Sequence, residues 1–332
     1  MSDHKNRNKT NNARNTDIAP PRKMYRNLDR LRGLHNGPTM KAPQPGQVAV
    51  QQKFFRLRHA LRKFASLHGT IATAMDDLLT FFPILSELSI KAGAIVRKYY
   101  NSELEVELKA DQSPVTRADR EIEIFLRESL EKRFPDFSIL GEEFGETNKS
   151  SAYRWIIDPI DGTKSFVLKS PLFGVMIALE RDGKPVLGSI YLPIQESHLI
   201  GSAETGTFLN GARCHVSATS QLSEATVLIT NPLALIDGPG HERVARLCRK
   251  ARLTRGLGDC YGYYLIARGL ADVMVEPAAL KYYDVAPMPP ILEGAGGIFT
   301  TLNGDSDLLS GQGLATNRVL HEQVLRALNA ED

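Results

Sequence analysis

Between Trp155 and Thr163 the chain reads Trp-Ile-Ile-Asp-Pro-Ile-Asp-Gly-Thr, a run whose residue types and spacing suit a particular chemistry. Trp155, Ile156 and Ile157 predict a buried strand that delivers Asp158 at its end, and Pro159 forces a bend that brings Asp161 round to the same side. Two carboxylates in one small space repel unless a cation sits between them, and hard oxygen ligands favour Mg²⁺. Gly162 and Thr163 then offer backbone N–H groups at the start of a predicted helix, which suits a phosphate. Read alone, the same run is an acidic turn with Asp158 as a cap.

Three other segments carry acids in related settings. Gly141-Glu142-Glu143-Phe144-Gly145 follows a short predicted strand, so its two acids sit at a strand end; alone it is a solvated loop. Tyr282-Tyr283-Asp284-Val285-Ala286 places Asp284 before a predicted helix, where it caps the helix or joins a metal site. Ser113-Pro114-Val115-Thr116-Arg117-Ala118-Asp119 sets Thr116 and Asp119 one helical turn apart, the pattern of an ordinary helix start. His198, His215, His241 and His321 lack metal-ligand spacing, and no Gly-x-Ser-x-Gly elbow is present, so nucleophilic catalysis and a zinc site are disfavoured. Cys214, Cys248 and Cys260 are an odd number without Cys-x-x-Cys spacing, which points to a reducing compartment and a cytoplasmic setting. Cys260 reads as a small packing residue.

The elements that must position these groups follow from hydrophobic period. An apolar stripe from Leu78 to Tyr99, opened by Asp76 and Asp77, predicts a helix ending near Asn101; a second helix is predicted from Pro114 to Pro135. Short runs at 137–140, 154–158, 172–179 and 185–192, with a turn signal at 181–184, predict strands of a largely antiparallel sheet. Beyond residue 218 the pattern predicts strand 226–230, helix 241–250, helix 261–270, strand 271–276, helix 285–293, strand 297–302 and helix 317–328. Pro287, Pro289 and Pro290 predict an irregular or delayed start for the helix at 285. Three regions result: an extension at 1–70, an N-terminal half at 71–218 and a C-terminal half at 219–332.

The 332 residues are 42% hydrophobic and 24% charged, which excludes a disordered or collagen-like chain. The net charge of +3 hides an asymmetry: residues 1–70 hold 15 Lys and Arg against 3 Asp, and the rest holds 26 against 35 acids. Residues 1–47 are too polar to offset the entropy of ordering, and 53–68 predicts a basic amphipathic helix around Phe54, Leu57, Leu61 and Phe64. That extension reads as a dispensable segment, an organelle-targeting segment, or a contact for nucleic acid or a membrane surface. Apolar runs near Leu78 and Leu172 are interrupted by Pro83 and Gly174, so no membrane span is expected.

Taken in order, the four acidic segments resemble the inositol monophosphatase-like family of magnesium-dependent, lithium-sensitive phosphatases, over roughly residues 76–330. The resemblance implies a layered αβαβα sandwich of mixed α+β and α/β character, a homodimer, and two or three Mg²⁺ ions per site. It implies Glu142, Asp158, Asp161 and Asp284 as side-chain metal ligands with the Ile160 carbonyl as a backbone ligand. Thr163 with Asp119 is implied as the pair that orients the attacking water, with Glu142 beside it, and Lys109 as a lysine of the loop before the second helix. The substrate is then a small phosphate monoester, faced by Gly162, Thr163, Asp259, Glu276 and Asp284.

Within the family, Asp161-Gly162-Thr163-Lys164-Ser165-Phe166, Gly258-Asp259-Cys260-Tyr261 and Leu280-Lys281-Tyr282-Tyr283-Asp284 resemble the histidinol-phosphate phosphatase branch. A carboxylate at Asp259 suits the ammonium or imidazole of histidinol, with Glu276 as a second acid; the alternative for Asp259 is a helix cap. Inositol, sugar and nucleotide phosphates are the rival substrates, and a non-catalytic protein bound to RNA or membrane through its basic extension is the rival of another class. Every recognised motif lies at or beyond Lys109, so a chain lacking residues 1–70 is expected to retain wild-type kcat on a small phosphate ester. A folded truncation without turnover would show that the extension completes the site.

Overall fold

The computed structural model describes residues 71–109, 114–232, 236–237 and 240–330, with side chains from Leu78 onward. The extension, its expected helix at 53–68 and Ser113 lie outside the described residues. Helix α1 (Ile71–Tyr100) carries the predicted apolar stripe and runs through Pro83 without ending. That corrects the expected interruption: Leu78–Tyr100 has the length and apolar composition of a membrane span. Its apolar side is instead spent inside the protein, where Leu78, Phe82, Leu85, Leu88, Ala92 and Val96 are buried.

The second helix begins later than predicted. Pro114–Thr116 forms strand β2, paired antiparallel with β1 (Val106–Leu108), and α2 spans Arg117–Arg133. Proline disfavours a helical residue before it, and Thr116 is extended and caps α2. Its hydroxyl accepts from the Ala118 N–H at 3.2 Å, while the Asp119 carboxylate accepts the Thr116 N–H at 2.8 Å. Asp119, the third residue of α2, is thus the partner of Thr116 in a capping box, as its spacing allowed.

The large sheet has eight strands in the order β10-β9-β8-β7-β6-β5-β3-β4. They are β3 (Ser138–Gly141), β4 (Gly145–Thr147), β5 (Tyr153–Asp161), β6 (Gly174–Arg181), β7 (Lys184–Leu192), β8 (Ser197–Ser202), β9 (Gly206–Leu209) and β10 (Ala212–Arg213). All neighbours are antiparallel except β3 and β5, which run parallel. Strands β4, β8, β9 and β10 escaped the sequence reading because they are short or rich in Gly, Ser and Thr; pairing to neighbours supplies what their composition does not.

After a short α3 (Thr163–Val167) and this sheet, the C-terminal half builds a second sheet in the order β12-β11-β13-β15-β14. It comprises β11 (Thr226–Ile229), β12 (Leu253–Arg255), β13 (Val273–Glu276), β14 (Gly297–Thr300) and β15 (Gly313–Asn317). Helices α4 (His241–Lys250), α5 (Asp259–Ala267), α6 (Tyr282–Val285), α7 (Met288–Gly294) and α8 (Arg318–Asn329) complete it. The helix predicted at 285–293 starts late, as its prolines implied: Val285 ends α6, Pro287 caps α7 and two further prolines fill its first turn. The predicted helix start at Asn317 is the end of β15, from which Asn317 caps α8 by accepting the Leu320 N–H at 2.8 Å.

Three large cores fill the spaces between five layers, the middle one surrounding the central helices. Trp155, Ile157, Val175, Ile177 and Leu179 pack under α1 and α2. The opposite face of the large sheet, with Met176, Ile190 and Leu199, meets α5, α7 and Leu228, Met274 and Ala315 of the second sheet. The outer face of that sheet, with Val227, Ile229, Val273 and Val275, packs on α4 and α8. Alternate residues of one strand serve two cores, which is the period-two pattern of a sheet covered on both sides, and the result is the layered αβαβα sandwich. Trp155 is fully buried and touches Phe81, Phe134 and Phe137 ring to ring. Trp155→Ala is expected to cost about 3–5 kcal/mol, read as a lower urea midpoint by far-ultraviolet circular dichroism, since Trp155 is the chain's single tryptophan.

Candidate active site

Asp158 and Asp161 are an odd number of residues apart, so a regular strand would send them to opposite faces. The structure resolves this by a register shift: Asp158 pairs with Met176, but Asp161 pairs with Gly174. Pro159 lies inside that irregularity, where its missing N–H costs no ladder bond. Parallel pairing of β3 with β5 brings a second strand end to the same edge, and the Glu142 N–H donates to the Ile157 carbonyl at 3.2 Å. Helix α6 packs on β5 and carries Asp284 in from the other half.

Asp158, Asp161 and Asp284 converge, each offering a carboxylate oxygen within 4.8 Å of the others. Asp158 is 2% exposed, and its Oδ1 has no hydrogen-bond partner among the described residues. Asp161 accepts the Cys260 N–H from the first turn of α5, and Asp284 accepts the Lys281 N–H at 2.6 Å. Capping and membership of the acidic cluster are therefore not alternatives for Asp284; it does both. An orphaned, buried carboxylate oxygen facing two further carboxylates is a donor set that fits a hard divalent cation. Glu142 stands at the margin of this trio, with its Oε1 accepting from Lys109 Nζ at 2.7 Å, and Glu143 takes the same ammonium at 2.5 Å.

Burial pushes the Asp158 carboxyl well above the usual range, and the charges of Glu142, Asp161 and Asp284 push it further. Asp161 rises likewise, through burial and then Asp259 and Asp284. Asp284 is raised to about 7, chiefly by burial, against the lowering bond from Lys281. Asp119 is raised to about 6 by burial, against its bonds from Thr116. Burial pulls Lys109 down, but its bonds to Glu142 and Glu143 outweigh that and keep it charged. The neighbouring Tyr283 phenol is raised, by burial first and then by Glu142 and Asp284; the sequence reading assigned it no role.

Gly162 has φ +85°, left-handed backbone that glycine adopts without strain, and it opens α3. A side chain there would press on the Asp259 carboxylate at 3.1 Å and on the Leu172 carbonyl at 3.2 Å. The Thr163 hydroxyl donates to the Ile160 carbonyl at 2.9 Å, so both sequence-derived groups lie at one turn. Asp119 and Thr163 share no hydrogen bond among the described residues; Asp119 is held by Thr116.

Asp259 has φ +52° and makes no side-chain bond to its own helix, so the capping alternative is not what holds it. Its N–H donates to Thr230 Oγ1 at 3.1 Å. Thr230 donates in turn to Glu276 Oε1, and the Tyr263 hydroxyl donates to Glu276 Oε2. Glu276, expected as a second acid toward substrate, instead has both oxygens engaged inside the protein; burial raises it to about 7 despite those bonds. Sequence reasoning missed Thr230 and Tyr263. Their signal was topological: Thr230 directly follows β11 and Glu276 ends β13, parallel neighbours, so they emerge at one sheet edge.

A helix-opening turn at Gly162 beside a dense carboxylate cluster suits cation-assisted phosphoester chemistry. The chain belongs to the inositol monophosphatase family, which it matches over residues 77–332. A histidinol-phosphatase of Chlorobaculum parvum is 40% identical over 244 residues, 73% of this chain and 94% of the relative. Inositol monophosphatase 3 of Solanum lycopersicum is 33% identical, covering 75% of this chain and 96% of its own. The structure of an inositol monophosphatase from Zymomonas mobilis superposes with TM-score 0.66 at 36% identity, over 74% of this chain and 95% of that one. This protein is accordingly a phosphoric monoester hydrolase.

The raised carboxyls fix a pH dependence. Asp119, Glu276 and Asp284 stand at about 6, 7 and 7 when folded, against ordinary values near 4. The folded, metal-free chain binds more protons than the unfolded one between those limits, so this stabilisation is complete below about pH 4 and lost as pH rises through 7. His198, lowered to about 3 by burial, opposes it only below about 6.5. In EDTA the Tm is expected to fall between pH 6.5 and 8.5 by scanning calorimetry, and Mg²⁺ to reduce the fall because it binds deprotonated carboxylates. A flat Tm in EDTA would contradict it.

Proposed function

We propose that this chain hydrolyses L-histidinol phosphate to L-histidinol and phosphate with the help of Mg²⁺. The observation that carries the substrate reading is Asp259: a carboxylate beside Gly162, not spent on capping its helix, and held by Thr230 at the cluster's edge. Similarity to a histidinol-phosphatase supports it. Asp158, Asp161 and Asp284 would hold Mg²⁺, with Glu142 and the Ile160 carbonyl adjoining. Bound there, the ion supplies Lewis-acid neutralisation of the phosphate and a lowered pKa for a coordinated water.

The chain's own groups do the rest. First-turn N–H groups of α3, which the helix leaves unbonded, receive phosphate oxygens. Thr163 and Glu142, with Asp119 behind them, orient the water for in-line attack, and Lys109 balances Glu142 and Glu143 until the substrate arrives. Asp259 pairs with the cationic end of the leaving group. Burial raises the Asp259 carboxyl, the exposed Lys164 opposes that rise, and a cationic leaving group would add to the opposition. The family resemblance also supports a homodimer; the odd number of cysteines favours a reducing, cytoplasmic setting, with organelle targeting by the extension as the alternative.

Activity is expected to vanish in EDTA and return with Mg²⁺, and Asp161→Asn to lose orders of magnitude in kcat while staying folded, since it removes one of several mutually repelling acids. Full activity without metal would overturn the metal reading. For the substrate, kcat/KM is expected to be higher on L-histidinol phosphate than on inositol 1-phosphate. Asp259→Asn should cost the former about 1–3 kcal/mol, the scale of a lost charged hydrogen bond, and the latter much less. Equal losses on both esters would mark Asp259 as a helix-start residue, the capping alternative, and a wild-type preference for inositol phosphate would move the protein to the rival branch whatever the variant did.

A further inference from the structure

Glu123 lies on α2 with no exposed surface, a carboxylate fully inside the protein and outside every motif that the sequence reading singled out. A buried carboxylate is costly unless each oxygen is bonded. Its Oε2 accepts the Glu143 N–H at 2.7 Å, and its Oε1 accepts the Phe144 N–H at 3.2 Å and Arg127 Nε at 2.8 Å. Arg127 extends the clamp, donating to Thr147 Oγ1 at 3.2 Å and to the Gly145 carbonyl. A Cβ at Gly141 would collide with the Glu123 carboxylate, so the β3 end can approach it only as glycine. The turn from Gly141 to Thr147 is thus wrapped around one buried ion pair.

We infer that Glu123 and Arg127 are positioning residues that aim Glu142 into the site. The geometry is specific to Glu142: its own N–H is tied to the Ile157 carbonyl, and the next peptide N–H is tied to Glu123. With the peptides on both sides fixed, the direction of the Glu142 side chain is set by backbone held from beneath. This rests on the reading of Glu142 as a residue of the metal site. Outer partners that orient metal ligands typically change affinity 10- to 100-fold when removed.

The test uses Mn²⁺ binding to the full chain, followed by electron paramagnetic resonance, alongside Tm and amide hydrogen exchange. Glu123→Gln puts an NH₂ where an N–H must be accepted, and its Mn²⁺ Kd is expected to rise at least tenfold; Arg127→Gln leaves the two amide bonds and should raise Kd several-fold. In the wild-type chain the amides of Glu143 and Phe144 should exchange as slowly as those inside α2. A folded Glu123→Gln with a Kd within twofold of wild type and only a lower Tm would overturn the inference, as would unchanged binding by Arg127→Gln if the first variant does not fold. Fast wild-type exchange at Glu143 and Phe144 would overturn it independently of either variant. Failure of the wild-type chain to bind Mn²⁺ at all would instead overturn the metal reading, and this inference with it.

Discussion

Asp158, Asp161 and Asp284 repel one another, and the architecture exists to hold them together all the same. Three carboxylates within 4.8 Å, with one orphaned oxygen, form an arrangement that no local element would adopt for its own sake. The opposing free energy comes from the apolar cores, whose Ile157, Ile160 and Val285 flank the acids in the chain. Trp155 and Ile157 anchor β5 on one face while Ile156 packs on the other, so the strand that carries two of the acids cannot tilt to separate them. Protonation is the relief left to the metal-free chain, and the raised carboxyls record it.

The cluster is assembled across both halves of the sandwich. Asp158 and Asp161 come from the large sheet, Asp284 from a helix of the C-terminal half, and the amide that steadies Asp161 belongs to Cys260 on α5. Neither half holds a complete set. The middle core, where Met176 and Ile190 meet Met274 and Met288, is therefore part of the chemistry as much as of the stability, since sliding the layers would separate the acids.

Around the cluster, single residues are held by partners that do not face the site. The left-handed conformation of Asp259 is tolerated because Thr230 accepts its N–H, and Thr230 is itself held by Glu276, which Tyr263 also binds. Glu276 could be read as a substrate acid only because the sequence shows its type and not its partners. Engaged on both oxygens, it is tied to Asp259 through the Thr230 hydroxyl, which bridges two parallel strand ends.

The sequence by itself determined the acids and the strand that delivers them. Ile156 and Ile157 preceding Asp158, the Pro159 bend and the Gly162 turn are local, and backbone sterics decide them within a few residues. The long helical stripe of α1, the capping pair Thr116 and Asp119, and the proline-delayed α7 were legible for the same reason. Only the tertiary structure decided which acids meet. Parallel pairing of β3 with β5 places Glu142 beside Asp158, yet Lys109 holds it at the edge of the trio, and Asp284 arrives over more than a hundred residues of chain. Strands such as β8 and β15 were invisible because pairing and burial, not composition, make them strands. Glu123 was invisible because one more glutamate on a charged helix has no local signature; its meaning comes from the two amides and the guanidinium that close around it in three dimensions.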